Sequence, residues 1–201
     1  MAETGDRKTE RPKKRRGGPP NSLGARQGQD KKRAPRKVTP KYLENAALHY
    51  LSRFATSAEN LRRVMMRKVD RSARFHATDA EEGRAHVEDM VRRFERSGLL
   101  DDAAYARAQA ESLHRRGNSA HMIRGKLRQK GVARDVIDLG LEALGEDAVE
   151  TELAAAAAYA RRRRFGPYGA RKPSRDQREK QLASLARAGF SYDVARRVLE
   201  V

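Results

Sequence analysis

The chain has 201 residues, in which 45 Lys and Arg outweigh 27 Asp and Glu to give a formal net charge of +18 and a pI near 10.7. That balance favours a polyanionic partner, nucleic acid first and an anionic membrane surface second. Cysteine is absent, which excludes a disulfide framework, a thiolate metal site and a cysteine nucleophile, and fits a reducing cytoplasm.

In chain order, residues 1–40 come first, with five of the seven prolines and 13 Lys/Arg against 4 acids. Almost nothing apolar is available to offset the entropy of ordering, so this segment is expected to be a disordered basic arm. It begins Met1-Ala2-Glu3-Thr4 and lacks the apolar stretch of a signal peptide. Thr39-Pro40 predicts the first helix start, with Thr as cap and Pro in the first turn. Beyond it Ala, Leu, Arg, Glu and Gln dominate and apolar residues recur at three and four, so the ordered part is read as all helix. Ser57 opens a helix with Leu61 and Met65 on one face and Arg62, Arg63, Arg67 and Lys68 on the other. Gly98-Leu99-Leu100-Asp101-Asp102 ends one helix and starts the next. Its two carboxylates read as caps at a helix start, in preference to a catalytic or metal-binding pair. Ser119 opens a further helix, carrying Arg124, Lys126, Arg128 and Lys130 opposite Ile123 and Leu127. Leu153 to Ala160 is the longest run of small residues and leads at once into Arg161-Arg162-Arg163-Arg164, which leaves no stretch able to cross a bilayer. Phe165, Tyr168 and the prolines 167 and 173 mark a loop before the last helices.

Two internal matches divide the ordered part. Ser57-Ala58, Leu61-Arg62, Met65 and Lys68 recur 62 residues later as Ser119-Ala120, Ile123-Arg124, Leu127 and Lys130. Gly131-Val132 with Asp135-Val136 recurs as Gly189-Phe190 with Asp193-Val194. In each corner Gly takes the left-handed conformation that ends a helix, the apolar residue packs back, and Asp lies in the next first turn. The matches predict three units of about three helices, 41–98, 99–145 and 146–201. Each is expected to be too small to bury its own face, so that neighbours stack in series.

Three runs then bear a family resemblance: Tyr50-Leu51-Ser52-Arg53 with Ser57-Ala58-Glu59-Asn60-Leu61-Arg62-Arg63; Ser97-Gly98-Leu99-Leu100-Asp101-Asp102-Ala103-Ala104-Tyr105-Ala106; and Ile123-Arg124-Gly125-Lys126-Leu127-Arg128-Gln129-Lys130-Gly131-Val132. Together, from about residue 45 to the end, they resemble the RecX family, bacterial regulators of the RecA recombinase. The resemblance implies an elongated, curved array of three-helix modules that enters the groove of the RecA–single-stranded DNA filament and lowers its ATP hydrolysis and strand exchange. It implies a cytoplasmic protein that restrains recombination and the damage (SOS) response, without enzymatic activity of its own. The sequence departs from the family pattern at Lys68-Val69-Asp70, where a Lys-Gly-aromatic corner is usual, and in an insertion from Phe165 to Ser174.

The basic positions leave two readings open. Arg62, Arg63, Arg67 and Lys68, with Arg124, Lys126, Arg128 and Lys130, either line one surface that meets phosphate and acidic protein, or are solvated helix faces. Arg161 to Arg164 with Phe165 and Tyr168 either track single-stranded DNA and stack on its bases, or flank aromatic rings, Tyr159 among them, that fill the core. The five histidines never fall at the helical spacing of a metal pair and no Gly-rich phosphate loop precedes a Lys, so no cofactor, metal or catalytic group is expected. The rival reading is a general DNA- or RNA-binding helical protein acting without RecA. A monomer is expected, since the packed repeats leave no apolar stripe over.

Overall fold

The computed structural model describes residues 34–200, and within them all regular structure is helical. The expected arm lies outside the described residues up to Arg33. Its last residues are tied down: the Val38 N–H donates to Ser72 Oγ at 3.0 Å, and His76 Nε2 meets the Pro35 carbonyl at 2.6 Å.

Among the described residues nine α-helices follow, in three sets of three. The first set is α1 (Pro40–Leu51), α2 (Ala58–His76) and α3 (Ala80–Arg96). The second is α4 (Asp102–Arg115), α5 (Ala120–Gln129) and α6 (Arg134–Glu142). The third is α7 (Ala148–Arg163), α8 (Arg175–Arg187) and α9 (Tyr192–Glu200), with a short 3-10 turn over Gly166–Tyr168. Local chemistry sets most boundaries. Thr39, Ser57, Asp79, Asp101, Ser119, Asp147 and Ser174 each cap a helix by accepting a backbone N–H from its first turn. Gly131 and Gly189 have φ of +79° and +84°. Behind them Val132 and Phe190 donate back to Leu127 and Leu185, both at 3.2 Å, and bury their side chains.

The first unit departs from this corner for a visible reason. Where α5 stops at Lys130-Gly131, α2 continues through Lys68-Val69 for two more turns, because Val69 is a buried core residue. Helix α3 closes over it at Gly83, where an added Cβ would lie 2.5 Å from Val69 Cγ1. In the third unit Gln181 stands where Ile123 stands in the second. Its Oε1 accepts the Gly166 N–H at 3.0 Å, so the polar residue anchors the inserted loop.

The cores differ from expectation. Instead of one apolar face shared between neighbours, there are three separate clusters, contiguous in sequence. One runs from Leu43 to Leu100 around Leu61, Met65, Val69 and Val91; one from Ala106 to Leu141 around Ile123 and Leu127; one from Ala155 to Leu199 around Tyr159, Leu185 and Phe190. Each buried Leu or Ile stabilises its own unit by roughly 1.5–3 kcal/mol. Helical spacing, with an apolar residue at every third or fourth position on each of three short helices, is enough to close each cluster locally.

Neighbouring units meet instead through helix ends. The start of α2 abuts the end of α5, where Ser57 Oγ donates to the Lys130 carbonyl and the Ala58 N–H donates to Asp102 Oδ1 at 2.8 Å. The start of α5 abuts the end of α8 in the same way: Ser119 Oγ donates to the Ala188 carbonyl at 2.7 Å and the Ala120 N–H to Glu152 Oε1 at 2.6 Å. The middle helices of the three units are thus joined head to tail.

Candidate nucleic-acid interface

The exposed arginines fall into groups that differ in what already neutralises them. On the first half of α2, Arg62 is committed within the protein. Its guanidinium bonds Glu59 at 3.0 Å and Glu88 at 2.9 Å. Burial works against its charge, but these two carboxylates outweigh burial and raise its pKa. Arg63 bonds Glu59 at 2.8 Å and donates to the Gln129 carbonyl across the junction at 2.8 Å. Glu59 is correspondingly held below the usual carboxylate range, since burial pushes it up but the hydrogen bonds and charges of Arg62 and Arg63 pull it further down. These two arginines serve the fold as much as the surface.

Farther along α2 the picture changes. Arg67, Arg71 and Arg74 are exposed and line a shallow hollow with Phe75 and Pro35. None of the three makes an ion pair among the described residues. Lys68 lies 5.8 Å from the centre of the Tyr42 ring. On α5, Arg124 is paired with Asp138 at 3.0 Å and Lys126 bonds the Asn118 side-chain carbonyl. Arg128 and Lys130 are exposed.

The densest group forms where α4 and α7 end. Arg162 donates to the Arg116 carbonyl at 2.6 Å, which brings Arg115 and Arg116 to Arg161 through Arg164. All six are exposed, and none forms an ion pair among the described residues. Two helix C-termini offset part of their mutual repulsion, because the unpaired carbonyls there carry partial negative charge. The rings serve as supports. Arg161 stands 5.3 Å over Tyr168, and Arg162 and Arg163 stand 5.6 and 5.1 Å over Tyr159. Tyr159 is buried, its hydroxyl meeting Ser184 Oγ at 3.0 Å, and Phe165 packs edge-on against it with ring centres 6.3 Å apart. Phe165 and Tyr168 are half-buried, both packed against the third core, and the arginines beside them are exposed. Arg71, Arg74, Arg115 and Arg116 were absent from the residues singled out by sequence. The first two continue the helical row of Arg63 and Arg67, Arg71 four residues on and Arg74 three more, a signal legible in the sequence; the last two join the cluster only through tertiary approach.

Asp101 caps α4 through the Ala104 N–H at 2.8 Å. Asp102, expected to do the same, reaches back to the first unit instead. Among the described residues no group of three or more His, Asp or Glu is placed to hold a metal ion, and no helix is long and apolar enough to cross a membrane.

Fold and surface together define a class: an all-helical protein of three-helix units joined in series, with a concentrated arginine surface. Models of the second and the third three-helix domain of RecX match residues 101–141 and 150–199. The regulatory protein RecX of Myxococcus xanthus is 44% identical over 182 residues, covering 88% of this chain and 96% of that one. That of Agrobacterium fabrum is 31% identical over 158 residues, covering 79% and 82%. The chain belongs to the RecX family of regulatory proteins. The crystal structure of RecX from Lactobacillus salivarius shares the fold, with a TM-score of 0.58 at 17% identity over 80% of this chain and 94% of that one.

Proposed function

We propose that this protein binds the RecA–single-stranded DNA filament and restrains its ATP hydrolysis, strand exchange and damage-response signalling, acting as a cytoplasmic monomer without chemistry of its own. The observation that carries the reading is the cluster of Arg115, Arg116 and Arg161 to Arg164, held at two helix ends with no carboxylate paired to it among the described residues. A guanidinium fork fits phosphate and carboxylate alike, and a nucleoprotein filament offers both. Arg67, Lys68, Arg128 and Lys130 extend the contact along α2 and α5, and the basic arm adds salt-sensitive attraction. The net charge of +18 also supports a second reading, a general nucleic-acid binder that works without RecA.

One titration separates them. Inhibition of RecA ATP hydrolysis is measured beside binding to naked single-stranded DNA, at two salt concentrations. The folded variant Arg115→Gln/Arg116→Gln/Arg161→Gln/Arg163→Gln should lose at least about tenfold in potency, since each charge-assisted contact contributes roughly 1.5 kcal/mol or more and tenfold is about 1.4 kcal/mol. Unchanged potency would remove the cluster from the interface. A parent protein that binds naked DNA tightly and leaves ATP hydrolysis untouched would favour the second reading.

A further inference from the structure

The two junctions between units are built on one plan, although the residues that complete it come from different places in the sequence. Each uses a serine that is wholly buried, Ser57 or Ser119, followed by the alanine that is the first residue of the middle helix. The serine hydroxyl is spent on a carbonyl of the next unit's middle helix, Lys130 or Ala188. The alanine N–H is taken by a carboxylate from the next unit's first helix. In one case that is Asp102, the first residue of α4, at 2.8 Å; in the other it is Glu152, the fifth residue of α7, at 2.6 Å. A longer side chain set deeper in its helix thus reaches the same point.

The chemistry explains the repetition. A helix start has N–H groups without intrahelical partners and a partial positive charge, and a helix end has carbonyls without partners and a partial negative charge. Each junction satisfies one orphan donor with a carboxylate and one orphan acceptor with a hydroxyl, in directional bonds of short reach. Among the described residues each apolar cluster is contiguous in sequence, the first reaching no farther than Leu100 in the corner before α4. The relative tilt of neighbours therefore rests on the bonded helix ends together with close backbone approach, of Gly131 to Glu59 at the first junction and of Gly117 to Tyr159 and Ala155 at the second. Further bonds differ between junctions: Arg63 to the Gln129 carbonyl at the first, His114 Nε2 to the Thr151 carbonyl and Arg162 to the Arg116 carbonyl at the second. Of the hydrogen bonds described, the serine and carboxylate pair is common to both, set beside a corner glycine, Gly131 or Gly189, that packs against the start of the middle helix.

We infer that Asp102 and Glu152 are positioning residues that clasp successive units at a fixed angle and thereby set how the array presents its basic surface; the second half of this statement rests on the function proposed above. Neither side chain need touch the partner. Loosening a clasp spreads the population over several angles, and apparent affinity falls by the fraction that remains competent.

The absence of cysteine from the chain makes the test direct. Spin labels attached after Ala85→Cys on α3, Glu111→Cys on α4 and Ala183→Cys on α8, all exposed positions, report each junction separately by pulsed electron resonance on the full chain. Asp102→Ala should broaden the 85–111 distance distribution and leave 111–183 narrow; Glu152→Ala should do the reverse. Asp102→Asn and Glu152→Gln keep the accepting oxygen and should restore the narrow distributions. Helical circular dichroism should be unchanged throughout, because each unit keeps its own core. In RecA ATP hydrolysis each alanine variant should lose about fivefold in potency, the factor expected when one hydrogen bond of about 1 kcal/mol no longer holds the competent angle. Distributions as narrow in both alanine variants as in the parent would overturn the inference, as would loss of helical content, which would make the carboxylates supports of the fold. A parent protein without effect on RecA would remove the proposed function, and the distance measurements would still judge the clasps.

Discussion

Replacing Gly131 with alanine, beside the same change at Gly98, measures what the first junction contributes. Both glycines end a helix with positive φ, +79° and +72°, so both alanines carry the cost of a left-handed L-residue, roughly 1–2 kcal/mol. Around Gly98 nothing lies within 4 Å of an added Cβ, and that cost is all that is expected. At Gly131 the new methyl would lie 2.5 Å from Glu59 Cβ, closer still to its Cγ, and 3.2 Å from an Arg63 nitrogen. The Cβ of Glu59 is fixed to α2 and cannot swing aside, so the start of α2 must back away from the α5 corner. That motion strains Ser57 to Lys130, Ala58 to Asp102 and Arg63 to Gln129 together. Losing two such bonds at about 1 kcal/mol each adds to the backbone cost, so Gly131→Ala should destabilise by about 3–4 kcal/mol. Urea denaturation followed by helical circular dichroism supplies both values. Equal losses at the two positions would refute the reasoning, since close approach would then count for nothing beside φ.

Two further outcomes follow from side chains already described. Asp101→Ala should cost about 1 kcal/mol, the loss of an N-cap, with inhibition of RecA unchanged once the protein is folded; an unaltered melting temperature combined with lost inhibition would reassign this carboxylate. Glu59, held below the ordinary carboxylate range, favours the folded state above its unfolded pKa, and that contribution disappears as pH falls through its folded pKa. The melting temperature should therefore drop on acidification through the carboxylate range, and by less in Glu59→Gln. The difference should be small, because the Glu59 side chain is 34% exposed and its ion pairs are screened; identical pH profiles would exclude the linkage.

What could be read from sequence was what is local. Ser57, Asp101 and Ser119 announce helix starts by residue type, and Gly131 and Gly189 announce corners, because caps and left-handed turns are completed within five residues. The same locality misled at Asp102, whose neighbours in sequence offered it a first-turn role while its bonded partner Ala58 is 44 residues away. Charge suffered similarly. Arg62 reads as a free base on a helix face, yet Glu88, 26 residues on, lies against it. Arg115 and Arg116 look unremarkable until Arg162 reaches the Arg116 carbonyl across 46 residues. For Phe165 and Tyr168 the sequence left stacking and burial both open; Phe165 packs edge-on against Tyr159, and both rings are half-buried beside the third core.

The separate closure of the three cores bears on how the chain comes apart. A protein with one continuous interior exchanges its protected amides in a single global opening, whereas clusters bounded by polar seams open as independent foldons. Deuterium should thus enter this chain in steps, each step taking three consecutive helices. Lengthening of a loop such as Phe165 to Ser174, anchored to its own unit through Gln181, leaves the other two steps where they were, and a unit can drift in sequence away from its seams without renegotiating the packing of its neighbours.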